Sequence, residues 1–243
     1  MLGLTPSGRR VIVTGATGGI GRALAETLLA CDCAVAACDV PGVPVGDVAA
    51  VSATFDVRDP EAVRHGVADA IESLGGCDAV IANAGIVDTI HRAERFSDEE
   101  WRKDIETNLY GAFWVVQAAF EALLASGDGR IVLISSVAAE VGLPGQVAYG
   151  ASKAGIVGMA RTLAAEWGPR DPLQRGDARH DRHPKVRAMP APARDGAMAQ
   201  IPLGRFGEPA ELAGVAAFLL SPAAAYINGT VLRVDGGFGL SMR

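Results

Sequence analysis

A glycine-rich turn near the N-terminus places a strand, a turn and a helix in immediate succession. The apolar run at residues 11–13 leads into T-G-A-T-G-G-I-G, residues 14–21, and a helical stretch follows over residues 20–30. In such a turn the glycines permit a tight bend, close approach of the backbone to a pyrophosphate, and close packing of helix on strand. The turn therefore predicts a dinucleotide-binding unit, with cofactor contacts at Gly15, Thr17, Gly19, Ile20 and Gly21.

The second predicted strand, residues 34–38, ends in Asp39, which lies 18 residues beyond Gly21. An acidic residue at about this distance binds the adenosine ribose of a dinucleotide. Its carboxylate would repel the 2′-phosphate of NADP, and neither Thr17 nor the pair Val40-Pro41 supplies a compensating cation. We therefore expect NAD to be favoured over NADP. The alternative is that Asp39 only ends the strand.

Strand-like and helical segments alternate along the chain. The later predicted strands cover residues 51–55, 79–82 and 131–134, and the later predicted helices cover residues 60–74, 98–124 and 149–167. This alternation predicts an α/β fold, a doubly wound parallel sheet with helices on both faces. A length of 243 residues with 49% hydrophobic content suits one Rossmann-like domain over residues 1–243.

A second chemical signal is Y-G-A-S-K, residues 149–153, with Ser136 thirteen positions before Tyr149. Side chains at i and i+4 share a helix face, so the Lys153 ammonium can favour the Tyr149 phenolate and lower its pKa. Tyr149 is therefore a candidate general acid/base. The bare Y-x-x-x-K spacing also fits an ordinary helix start with a solvated lysine, so the other motifs decide.

Together with the glycine turn, these motifs resemble the short-chain dehydrogenase/reductase family. The resemblance runs from about residue 9 to residue 167 and resumes from about residue 195 to residue 237. The matching positions beyond the glycine turn are Asp56-Val57 as the adenine contact, Asn83-Ala84-Gly85 as the next cofactor signature, Asn108 as the family's helix-four asparagine, and Ser136, Tyr149 and Lys153 as its catalytic set.

The resemblance implies an NAD-dependent oxidoreductase that interconverts a small-molecule secondary alcohol and a ketone by hydride transfer. Tyr149 would exchange the proton, and Lys153 would also hold the nicotinamide ribose. Ser136 would hydrogen-bond the substrate oxygen, and Asn108 would position a water that links the lysine to solvent. The family also implies a homodimer or homotetramer. An NADPH-dependent 3-oxoacyl-carrier reductase is the alternative, because residues 200–205, Q-I-P-L-G-R, resemble that branch.

The segment at residues 171–184, D-P-L-Q-R-G-D-A-R-H-D-R-H-P, departs from the family pattern. Leu173 is its only large apolar residue, so we expect no sixth strand here. Read one nucleotide later, with free choice at degenerate bases, its codons permit Ile-Arg-Cys-Asn-Ala-Val-Met-Pro-Gly-Thr-Ile-Asp-Thr-Pro, which is similar to the missing family segment. We therefore hypothesise a local reading-frame slip, and a catalytically weak nucleotide-binding relic is a further alternative.

Composition and patterning argue against other classes of partner. A net charge of −6 with 5% aromatic residues gives no basic, aromatic-rich surface, so no nucleic acid is expected. We see neither a leader nor an apolar run of membrane-spanning length, so we expect no membrane and a cytoplasmic location. Short spacing alone would allow metal ligands at Asp177, His180, Asp181 and His183, but nothing around them supplies a rigid second shell. No metal site is predicted.

Overall fold

The computed structural model describes residues 3–46, 48–168, 174–179 and 191–240. Its strands are β1 Arg10–Thr14, β2 Ala34–Asp39, β3 Val51–Thr54, β4 Ala79–Ala82, β5 Arg130–Ser135, β6 Gln174–Arg179 and β7 Thr230–Arg233. All seven pair in parallel in the order β3-β2-β1-β4-β5-β6-β7. The order reverses between β1 and β4, the position at which open parallel sheets bind ligands. The predicted α/β fold is confirmed.

Helices cover both faces of this sheet. Their bounds are α1 Gly19–Ala30, α2 Pro60–Leu74, α3 Asp98–Ile105, α4 Gly111–Ala118, α5 Phe120–Ala125, α6 Val147–Trp167, α7 Ala191–Met198 and α8 Pro209–Leu219. One buried cluster joins the sheet to α1 and α8, for example through Leu24 and Leu212. A second cluster joins the other face to α2, α4 and α6 through residues such as Val67 and Ile156.

Local sequence explains the bounds of α2, which agree with the prediction. The Asp59 carboxylate accepts hydrogen bonds from the backbone N–H groups of Glu61 and Ala62, which caps the helix. Pro60 occupies the first turn, where its missing N–H costs nothing. The helix ends at Gly75, whose φ of 70° lies in the left-handed region that glycine adopts without strain.

The predicted single helix over residues 98–124 is wrong in detail. It begins as expected, with a capping box between Ser97 and Glu100, but a π-helical turn at Glu106–Tyr110 follows α3, and a further break at Ala119 separates α4 from α5. An apolar stripe fixes which face is buried, but it does not reveal one widened turn within that face. The widened turn carries Asn108.

The prediction that residues 171–184 contain no strand is also wrong. β6 lies between β5 and β7 and pairs with both, in registers that run from Arg130↔Gln174 to Ser135↔Arg179 and from Gly176↔Thr230 to Arg179↔Arg233. Ladder hydrogen bonds join backbone groups, so two flanking strands can impose an extended chain on a sequence with weak strand propensity. Residues 171–173 and 180–184 lie outside the described residues, as do three of the four metal-ligand candidates, His180, Asp181 and His183.

Candidate active site

A cavity of about 390 Å³ opens at the carboxyl ends of β1 and β4. All thirteen residues predicted to contact the cofactor line it: Gly15, Thr17, Gly19, Ile20, Gly21, Asp39, Asp56, Val57, Asn83, Ala84, Gly85, Tyr149 and Lys153. Asn108 and Ser136 are buried and are not part of this lining. The structure therefore brings the glycine turn and the Tyr-Lys pair, which are more than 120 residues apart, to one cavity.

The glycine turn has no room for side chains at two of its positions. Gly15 has a φ of 63°, and a Cβ there would lie 2.9 Å from the Ala84 Cα. A Cβ at Gly21 would lie 1.9 Å from the Gly15 carbonyl oxygen. Gly15, Gly18, Gly19 and Gly21 all line the cavity, so the turn presents backbone without side chains at these four positions. Such a cradle fits the pyrophosphate of a dinucleotide.

Hydrogen bonds tie the ends of β1 and β4 together across the switch point. The Thr14 hydroxyl oxygen accepts bonds from the backbone N–H groups of Asn83 and Ala84, both at 3.1 Å. The Asn83 side-chain amide donates in return to the carbonyl oxygens of Thr14 at 2.9 Å and of Gly15 at 3.1 Å. Asn83 therefore shapes the glycine turn as well as lining the cavity.

At the adenosine end, protein donors already hold the Asp39 carboxylate. Oδ2 accepts from the Thr17 N–H at 3.0 Å and from the Thr17 hydroxyl at 2.6 Å, while Oδ1 accepts from the Val40 N–H at 2.9 Å. Sequence reasoning missed a cation in the same lining, Arg58. Its guanidinium binds Asp56 through two nitrogens and holds the pKa of that carboxyl below its ordinary value. The sequence did offer a signal for Arg58, because this residue directly follows Asp56-Val57, the predicted adenine contact.

The Lys153 side chain is almost fully buried in the wall of the cavity. Nζ donates to the carbonyl oxygen of Ile134 at 2.9 Å, and it lies 5.8 Å from the centroid of the Tyr149 ring. Both side chains come from the first turns of α6, as the i, i+4 spacing predicts. Burial of an ammonium is costly unless oxygen acceptors surround it, so the end of β5 holds this lysine in place.

The side chains of Asn108 and Lys153 both lie close to Gly85. The Asn108 amide binds the backbone of Ile86 at both ends, since Oδ1 accepts from its N–H at 2.7 Å and Nδ2 donates to its carbonyl at 2.9 Å. A Cβ at Gly85 would lie 3.0 Å from the Asn108 Oδ1 and 3.2 Å from the Lys153 Nζ. The glycine therefore allows the π turn, the end of β4 and α6 to converge.

The two adjacent serines at the end of β5 have different partners. The Ser135 hydroxyl donates to the backbone carbonyl of Lys153 at 2.9 Å, so its proton is already used. The Ser136 hydroxyl oxygen instead accepts from the Ala138 N–H at 3.2 Å, at the start of the 3-10 turn Val137–Ala139. An accepted bond leaves the hydroxyl proton of Ser136 available as a donor.

The loop after β4 is bonded to the loop before α6, and an apolar cluster begins directly after Ser136. The backbone N–H of His91 donates to the carbonyl of Gly145 at 3.1 Å, which joins the loop after β4 to the loop before α6. The cluster consists of Val137, Ile201 and Phe238, with Val141, Leu143 and Phe206 packed against them. Val137, a member of this cluster, directly follows Ser136 in the chain.

Within residues 3–46, 48–168, 174–179 and 191–240, no three His, Cys, Asp or Glu side chains are grouped so as to hold a metal ion. In the same part of the chain, every helix is too short or too polar to cross a membrane.

The chain is similar in sequence to known reductases. A family model described as enoyl-(acyl carrier protein) reductase matches residues 15–239. The chain is 36% identical over 240 residues to the 3-oxoacyl-(acyl-carrier-protein) reductase FabG of Escherichia coli, covering 95% of this chain and 97% of that protein. It is 37% identical over 234 residues to the 3-oxoacyl-(acyl-carrier-protein) reductase MabA of Mycobacterium tuberculosis, covering 96% and 93%.

Solved structures agree over nearly the whole chain. The crystal structure of gox2181 superposes with a TM-score of 0.92 at 31% identity and covers 98% of each chain. A putative short-chain alcohol dehydrogenase from Sinorhizobium meliloti gives a TM-score of 0.90 at 34% identity, covering 98% of this chain and 99% of that one.

These comparisons correct the expected cofactor. The sequence relatives carry the name of the NADPH-dependent branch introduced above, so the expectation that NAD is favoured over NADP is wrong. That expectation treated Asp39 as a free carboxylate with no cation nearby. The structure instead commits Asp39 to donors from Thr17 and Val40 and puts Arg58 in the same lining.

Proposed function

Because the chain belongs to the short-chain dehydrogenase/reductase family, whose members act on a CH–OH or keto group with NAD(P), we propose that it is an NADPH-dependent 3-oxoacyl reductase. Its substrate would be an acyl chain held as a carrier thioester, and the 3-keto group would become a secondary alcohol. The observation that carries the proposal is the position of Tyr149 and Lys153 on the cavity of the glycine turn. The relatives' names and the motif at residues 200–205 support the substrate class.

The residues present fit a dinucleotide. The bare backbone of the turn at Gly15 and Gly21 suits the pyrophosphate, Asp56 and Val57 suit the adenine, and Lys153 suits the nicotinamide ribose. When bound, NADPH supplies the hydride. The residues of this chain would orient the keto group, donate a proton to its oxygen and return a proton from solvent to the donor.

Tyr149 is proposed to donate the proton to the keto oxygen. Ser136 would donate a hydrogen bond to the same oxygen and stabilise the negative charge that develops on it. The buried Lys153 ammonium would stabilise the phenolate that Tyr149 leaves behind, because its Nζ lies 5.8 Å from the centroid of the Tyr149 ring. Asn108, next to Lys153 across Gly85, would hold the water that returns a proton from solvent.

We further propose that the chain acts as one domain and as a homodimer or homotetramer. β6 and β7 extend the same sheet as β1 to β5. Large apolar side chains stay exposed on α3, the π turn, α4 and the start of α6: Trp101, Tyr110, Phe113 and Val147. A second copy that covers these side chains would remove apolar area from water. Sedimentation velocity tests this, since a monomer at micromolar concentration would rule it out.

The assay for the function is oxidation of NADPH by the wild-type chain with an acetoacetyl thioester of a carrier protein or of coenzyme A. We expect saturable turnover with either carrier. Turnover on simple ketones alone would support only membership of the general oxidoreductase class and would reject the 3-oxoacyl assignment. Cofactor binding without turnover on any of these ketones would favour the nucleotide-binding relic.

A further inference from the structure

Ser152 connects the asparagine of the π turn to the helix that carries the catalytic pair. Its hydroxyl oxygen accepts a hydrogen bond from the Asn108 Nδ2 at 3.2 Å, and its hydroxyl proton goes to the backbone carbonyl of Tyr149 at 2.7 Å. The residue is completely buried and does not line the cofactor cavity. It is therefore placed to act through its neighbours.

The hydroxyl completes the hydrogen bonding of the Asn108 amide. One Nδ2 proton goes to the Ile86 carbonyl and the other to Ser152, while Oδ1 accepts from the Ile86 N–H. A flipped amide would set Oδ1 against the Ile86 carbonyl oxygen, so these partners fix its orientation. The Oδ1 of this amide and the Lys153 Nζ both lie so close to Gly85 that a Cβ added there would crowd them, at 3.0 Å and 3.2 Å.

We propose that Ser152 is a positioning residue for proton transfer. Its hydrogen bonds join the Asn108 amide to the first turn of α6. They thereby fix the position of Asn108 relative to Tyr149 and Lys153. The inference rests on the proposed function, since it assigns Ser152 a place in the proton path of that reaction. Ser135 fastens the same helix to β5 through the Lys153 carbonyl, whereas Ser152 accepts the bond from Asn108, so the two serines are separable.

A matched control exists elsewhere in the chain. Ser221 is also completely buried, and its hydroxyl donates to the carbonyl three residues earlier, Phe218, at 2.6 Å. We expect Ser152→Ala to lower kcat roughly tenfold while the Kd for NADPH stays unchanged, because a small misplacement of a proton-transfer group slows the reaction steeply. Ser221→Ala should leave kcat unchanged, whatever it does to Tm.

A double-mutant cycle separates positioning from general damage. If Ser152 acts through Asn108, adding Ser152→Ala to Asn108→Ala should cause no further loss of kcat. Losses that multiply would overturn the proposal. So would an equal loss of kcat in Ser221→Ala.

A spectroscopic readout decides the same point without turnover. The chain has three asparagines, Asn83, Asn108 and Asn228, so labelling with ¹⁵N-asparagine gives three side-chain amide pairs, and Asn108→Ala identifies one of them. Ser152→Ala should shift the Asn108 pair and speed its exchange with water, and Ser221→Ala should do neither. An unmoved Asn108 pair would overturn the proposal. A moved pair in a chain with no turnover would support the positioning contact and count against the proposed function alone.

Discussion

The Thr17 hydroxyl donates a hydrogen bond of 2.6 Å to the Asp39 carboxylate, across the gap between the glycine turn and the end of β2. The acidic residue of this cofactor site is thus part of the turn's own hydrogen bonding. Its charge still faces whatever occupies the adenosine end of the cavity.

Asp39→Asn should tighten NADPH binding. Removing one negative charge near a phosphate is worth about 1 kcal/mol at a solvated site, which is about fivefold in Kd. Titration by nicotinamide fluorescence measures this directly. Asp32→Asn is the control, because Asp32 is an exposed acidic residue outside the cavity lining. An Asp39→Asn chain that binds NADPH no better than wild type would contradict the charge argument.

Tyr149→Phe should lower kcat by on the order of 10²–10⁴, the usual contribution of a general acid, with little change in the Kd for NADPH. The fully exposed Tyr226 supplies a matched control, since it does not line the cavity. Tyr226→Phe should keep wild-type kcat. Retention of more than a tenth of the activity in Tyr149→Phe would reject Tyr149 as the acid.

Gly85→Ala should lower kcat, because the added methyl group would press on both the Asn108 Oδ1 and the Lys153 Nζ. Stopped-flow measurement of NADPH oxidation gives the rate. Gly214→Ala provides the comparison, since its Cβ meets nothing within 4 Å inside α8 and should stabilise the fold by about 0.5–1 kcal/mol. Equal kcat for Gly85→Ala and wild type would mean that Asn108 and Lys153 tolerate displacement.

Asp78→Asn should destabilise the fold at neutral pH by about 1–3 kcal/mol. Burial alone would raise the pKa of Asp78, but the hydrogen bonds and charge of Arg10 bring it below its ordinary value. A lowered folded-state pKa gives stability that is present above the unfolded pKa of about 3.9 and lost as the pH falls through the folded value. Urea unfolding should therefore separate wild type from variant at pH 7 and bring them together near pH 2. A constant gap would contradict the linkage.

Replacing residues 171–184 with Ile-Arg-Cys-Asn-Ala-Val-Met-Pro-Gly-Thr-Ile-Asp-Thr-Pro should raise Tm. β6 is an interior strand of the sheet, and interior parallel strands are normally apolar. A gain of several kcal/mol would raise Tm by on the order of 10 °C in a chain of this length. The same fourteen residues in shuffled order serve as the control. An unchanged Tm, or a nucleotide read of codons 168 to 187 without the alternative frame, would count against the reading-frame hypothesis.

The sequence predicted the local elements and the cavity lining well, because glycine spacing and capping act over a few residues. The bounds of α2 and β4 agree with the prediction, and so does the convergence of Asp39, Asn83 and Lys153 on one cavity. The π turn at Asn108 could not be predicted, since it depends on the bonds from its amide to Ile86. β6 was missed because flanking strands, rather than its own residues, define it.

The most direct test of the central claim uses an acetoacetyl thioester and NADPH in which both hydrogens at C4 of the nicotinamide are replaced by deuterium. The account predicts that wild-type protein places deuterium on C3 of a 3-hydroxyacyl product, and that Tyr149→Phe binds the cofactor but forms almost no product. Absence of deuterium at C3 in the wild-type product, or equal product from both proteins, would contradict it.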